Sequence, residues 1–177
     1  MSDEYAFMVA TYVDLAAADA DYSAVHQLFS GFDPSMAFDA VTVGRKASIE
    51  IRFGQRPAGD RSPDGPSWSL AEGLAAALFP SVGADAPATQ LAARKILSEV
   101  SGEVARRLGR DALRDLGAHL DGSAAALVVA AASAHKDRVG EALTRARSVM
   151  TRTAPIDVVL IDRTSRSAQL IASPRSG

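Results

Sequence analysis

The residues able to do chemistry in this chain are three histidines, a run of aspartates and a cluster of arginines, with no cysteine at all. Without a thiol there is no disulfide, no thiolate metal site and no cysteine nucleophile. His26, His119 and His135 stand far apart and none lies in an HExxH frame, so a histidine metal site would have to be assembled by folding. A surface or helix-terminal role is the plainer expectation for each. Asp14, Asp19 and Asp21 offer carboxylates to a cation, but the glycine and distal glutamate of an EF-hand loop are missing. Capping of a helix N-terminus explains them better. Arg106, Arg107, Arg110 and Arg114 form a basic patch that Glu103, Asp111 and Asp115 dilute, which is the pattern of a solvated helix face laced with ion pairs. No phosphate-binding loop, no Gly-x-Gly-x-x-Gly after a strand and no Gly-x-Ser-x-Gly elbow occurs. The expectation is therefore no catalytic residue, no metal and no cofactor.

Those side chains need elements to hold them. Residues 6–13 are an almost unbroken apolar run, as in a strand buried on both faces. Asp14 ends it, and 15–29 carries Tyr22, Val25, Leu28 and Phe29 at helical spacing. Gly31 and Pro34 break the chain, 38–43 reads as a second strand, and 44–46 as a hairpin turn. Over 48–53, Ile49, Ile51 and Phe53 alternate with Glu50 and Arg52, as in a half-exposed strand. Prolines and glycines make 55–66 a loop. A short helix through Phe79 follows, then a long one over 89–108 with Leu97, Val100, Val104 and Leu108 in one stripe, then a helix over 111–120. A buried strand at 124–132, a helix at 136–150 and strands at 156–161 and 168–172 complete the pattern.

The two ends of the chain share one order of elements. A constant offset lays 38–45 over 156–163, Val9 over Leu127, Ala24 over Ala142 and Val25 over Leu143, with Asp39/Asp157, Val41/Val159 and Arg45/Arg163 identical. Duplication explains the whole pattern. One such unit cannot cover its own sheet, so a second must supply the other layer. The expected fold class is α+β: a ferredoxin-like sandwich from two β-α-β-β repeats with a central helical insertion. The first repeat would span 1–54, the loop and central helices 55–122, and the second repeat 123–177, all within one domain. The offset also makes Arg45 and Arg163 equivalent hairpin residues, able to bind paired anions across a pseudo-twofold axis. Trp68, beside the proline-rich loop, is a candidate lid or interface anchor, with packing onto the body as the plainer reading.

The segment 111–129 (DALRDLGAHLDGSAAALVV) resembles a pattern in bacterial families of unknown function. In those families a D-x-x-x-x-L-G-x-x-L-x-x-G-S-A-A-L-type stretch leads into an apolar strand. The first strand with its Ala/Asp-rich helix, and the strand holding Asp39, Ala40, Val41, Thr42 and Val43, are similar to the same families' N-terminal half. The resemblance implies a duplicated two-half fold and assigns no chemistry. Relatives often carry a glycine-rich, membrane-like hairpin in the middle. Here Arg94, Lys95, Glu99, Glu103 and Arg106 make the long central helix hydrophilic.

Composition narrows the remaining choices. Apolar residues are 47% and charged residues 23% of 177, enough to build a core. A formal charge of −2 argues against a general nucleic-acid binder. The longest apolar runs, 74–79 and 124–132, fall far short of the ~20 residues that span a bilayer. The N-terminus, Met-Ser-Asp-Glu-Tyr, lacks a basic n-region, so the expectation is a soluble, cytoplasmic protein with no signal peptide and no transmembrane segment. The expected function is non-enzymatic, accessory or regulatory, with self-association through Leu97, Val100, Val104 and Leu108. Its partners would be further copies of the chain or another protein. The alternative is a sensor of a small anionic or apolar ligand held near Arg45, Arg163 and Trp68.

Overall fold

A computed structural model describes residues 3–30, 39–46, 48–52, 70–78, 91–120, 122–157, 160 and 163. The chain runs β1 (Asp3–Tyr12), α1 (Leu15–Ser30), β2 (Asp39–Lys46), β3 (Ser48–Arg52), α2 (Leu70–Leu78), α3 (Leu91–Leu108), α4 (Arg110–Leu120), β4 (Ala125–Ala132), α5 (Lys136–Ala142) and β5 (Ser148–Ile156). The strands form one sheet in the order β3-β2-β4-β1-β5, and every neighbouring pair is antiparallel. Each helical crossover therefore skips a strand contributed by the other half. β1 and β2 flank β4 through α1, and β4 and β5 flank β1 through α5.

The near-continuous apolar composition of β1 and β4 follows from their central position, because both of their faces are covered. Alternate residues divide between two cores. Phe7 and Val9 of β1, Val41 and Val43 of β2, and Ala126, Val128 and Ala130 of β4 pack under α2, α3 and α4. Met8, Ala10 and Tyr12 of β1 and Ala125, Leu127 and Val129 of β4 pack under α1 and α5. The α+β class holds, with α1 and α5 on one face of the sheet and α2, α3 and α4 on the other. The central helices are the second layer itself. Their apolar stripes need burial, and the open face of the sheet supplies it.

The close approach of α2 and α3 explains a glycine. A Cβ at Gly73 would stand 2.6 Å from Val100 Cγ1 and 3.3 Å from the Ser101 backbone nitrogen. Only hydrogen fits there. At Gly109, φ is +86°, the left-handed turn that separates α3 from α4, with its N–H on the Ala105 carbonyl at 3.0 Å.

The second half departs from the expected register. The helix read over 136–150 stops at Ala142, and Leu143 leaves it with φ −83° and ψ 55°. Strand β5 occupies 148–156, beginning inside the expected helix over 136–150, while Leu160 of the expected strand over 156–161 is helical, its N–H on Asp157 Oδ1 at 2.9 Å. Val139, Leu143, Ala146 and Val149 do fall at helical spacing, yet Val149, Thr151 and Thr153 also alternate with Met150, Arg152 and Ala154 at strand period. β-branched residues packed beside β1 resolve that ambiguity toward a strand. The constant offset also fails at the central strands. It lays Val9 over Leu127, but those two side chains sit on opposite faces of the sheet. The expected strand at 168–172 lies outside the described residues. No helix among the described residues is long and apolar enough to cross a membrane.

Candidate functional site

Polar chemistry concentrates at one end of the sheet, where β1 and β2 finish and β4 and β5 begin. Consecutive residues of β1, Thr11 and Tyr12, point to opposite faces, and each starts a polar cluster.

On the α1 side the cluster is buried. Asp21 has no solvent exposure, and its Oδ2 accepts hydrogen bonds from the Tyr12 hydroxyl and the Arg145 backbone N–H, both at 3.0 Å. The Arg145 guanidinium lies 3.6 Å from Oδ1, which accepts no hydrogen bond. Burial pushes the Tyr12 phenol well above its ordinary range, and the hydrogen bond to Asp21 and that carboxylate's charge push it the same way. The sequence carried a signal for this cluster. Asp21 stands on the stripe made by Ala18 and Val25, so its position on α1 faces the core.

On the α4 side the Thr11 and Ser148 hydroxyls are hydrogen-bonded at 2.7 Å, and Ser148 Oγ is 3.4 Å from His119 Nε2. One turn earlier on α4, Asp115 pairs with Arg152 of β5 at 3.6 Å. These contacts form a polar seam that fastens α4 to the outer strand. A serine beside a histidine invites a nucleophile-and-base reading, but the 3.4 Å separation is long and the hydroxyl already bonds Thr11. The arrangement works as a tie. The Arg147 N–H also donates to the Thr11 carbonyl at 2.7 Å, so the segment between α5 and β5 is anchored on both faces of the sheet.

The predicted residues distribute unevenly around this end. Arg45 follows Gly44, whose partner Ala125 also pairs with Tyr12, so β2 delivers it to the same end of the sheet. β5 runs the opposite way and finishes with Ile156 beside Asp3. Arg163 follows β5 further along the chain and is exposed. Trp68 lies outside the described residues, as does the side chain of Leu97.

The expected self-association stripe meets a different fate. Val100 and Val104 are 1% and 0% exposed, and Leu108 packs partly buried against the same core. Each fully buried valine contributes about 1.5–3 kcal/mol to folding, so Val100 and Val104 belong to the interior.

The helix-surface readings stand. Asp14 Oδ1 caps α1 by accepting the Ala17 N–H at 2.8 Å. Glu103 is bound by both Arg106 and Arg107, and Asp111 by Arg114. Burial alone would raise the Glu103 carboxyl, but the two arginine hydrogen bonds and charges outweigh it and hold the group below its ordinary range. Among the described residues no three His, Asp or Glu side chains gather as a metal set. No family model, curated protein or solved structure matches the chain.

Proposed function

We propose that the chain is a non-enzymatic accessory or regulatory protein that assembles with further copies of itself through the outer side of β5. The observation that carries this is that, among the described residues, no helix packs over one face of that strand. On the α1/α5 side lies the row Val149, Thr151, Thr153 and Pro155, with Val149 at 38% exposed. Val13 nearby is 59% exposed. The row is uncharged and mostly β-branched, whereas an outermost strand meant to stay single usually carries charge. Two copies related by a twofold axis would meet there without burying an unpaired charge, each contributing the same residues. Val149→Glu tests it by native mass spectrometry. The wild type should be a defined oligomer and the variant a monomer that keeps a cooperative thermal transition, lower only by what association contributed.

The same reading includes descent of the two halves from one unit. Its support is the interlocked pair of crossovers, β1-α1-β2 around β4 and β4-α5-β5 around β1. A soluble, cytoplasmic setting belongs to the proposal too, on the cysteine-free composition. A second reading, a sensor of a small anionic ligand, draws on Arg147, whose exposed guanidinium has no partner among the described residues at the end of the sheet where Arg45 stands. Arg45→Ala and Arg147→Ala would then each remove a phosphate-induced rise in melting temperature.

A further inference from the structure

We infer that Asp21, together with the Tyr12 hydroxyl, is a receptor for a guanidinium group, and that Arg145 is its built-in occupant. The geometry divides the carboxylate in two. Oδ2 is fully engaged, holding the Tyr12 hydroxyl and the Arg145 backbone N–H at 3.0 Å. Oδ1 is buried and takes no hydrogen bond, although a guanidinium stands 3.6 Å away. A buried carboxylate oxygen calls for a charged donor at hydrogen-bonding distance, so this contact is an incomplete one.

The tether accounts for the shortfall. Arg145 is fixed by its own backbone N–H on Oδ2, and its side chain must turn back from that point to approach Oδ1 of the same group. A guanidinium free of that constraint can aim a donor directly at the oxygen. The Arg145 side chain is 56% exposed while Asp21 is 0% exposed, so the arginine is the member of the pair that borders solvent. The side chain can also swing out and leave both bonds to Oδ2 in place. The contact is thus self-occupying, and the ligand class it fits is a small guanidinium compound. This site lies on named residues separate from the β5 row, and it stands or falls independently of self-association.

The experiment uses the full chain carrying Arg145→Ala, with methylguanidinium as probe and tetramethylammonium, which has no N–H, as the matched control. Methylguanidinium should raise the melting temperature of the variant by about 3 °C at roughly tenfold excess over its dissociation constant, and raise the wild type less, because Arg145 competes. Adding Asp21→Asn should abolish the rise. Should that double variant fail to fold, backbone amide NMR of Arg145→Ala is the second reading, with methylguanidinium shifts expected around Tyr12 and Asp21. Equal effects of the two cations, or shifts elsewhere, would overturn the assignment.

Discussion

The two sides of the sheet hold valines in opposite circumstances. Under α2, α3 and α4, Val100 and Val104 are enclosed with Phe7, Val41 and Val128 in one continuous core. On the other side, α1 has 16 residues and α5 has 7, and β5 is left with Val149 open to solvent. A stripe that looks like an interface in the sequence is therefore interior, while the surface proposed for contact is the face of β5 that no described helix covers. Amphipathic spacing says that a face must be covered. It does not say by what.

The largest effect should come from charging the two kinds of valine. Val104→Asp would bury an unpaired carboxylate and cost about 4 kcal/mol or more, with loss of the cooperative thermal transition. Val149→Glu should cost only the stability that association adds and leave a cooperative transition. Next comes the helix contact that closes the first side. Gly73→Ala forces a methyl onto Val100 and should cost about 1–3 kcal/mol in chemical denaturation. Val100→Ala makes the room, so the double variant should be less unstable than the sum of the two single changes.

Smaller effects probe the polar ties. Tyr12→Phe leaves Asp21 short of a donor and should cost about 1–3 kcal/mol. The raised phenol also sets a pH dependence. Its contribution is complete below the unfolded value of about 10 and is lost as pH climbs above it toward the folded value. Absorbance titration should therefore find one of the three tyrosines ionising only with unfolding. Glu103 acts with the opposite sign. Its lowered carboxyl stabilises the fold above its unfolded value, about 4.5, and that part is lost as pH falls further. Glu103→Gln should flatten the acid limb of the stability profile.

Much of this architecture was legible in the residues. The apolar runs marked β1 and β4, Asp14 marked the start of α1, and the charges on α3 and α4 marked exposed faces with ion pairs. What failed was arbitration between two periods. From Lys136 to Ala154 the chain satisfies helical and strand spacing in turn, and only the position of β1 alongside decides for β5. The clusters at Asp21 and Ser148 escaped for a different reason. Asp21 meets Arg145, and Ser148 meets Thr11 and His119, across sequence separations that only the sheet order closes. The charge at position 21 on a core-facing stripe was a visible sign, read as part of a capping cluster.

Native mass spectrometry of the unmodified chain beside Val149→Glu tests the central claim most directly. The wild type is expected to be a defined oligomer, and the variant a folded monomer with a cooperative thermal transition. A wild type that stays monomeric across the concentration range, or a variant that assembles as the wild type does, would contradict it.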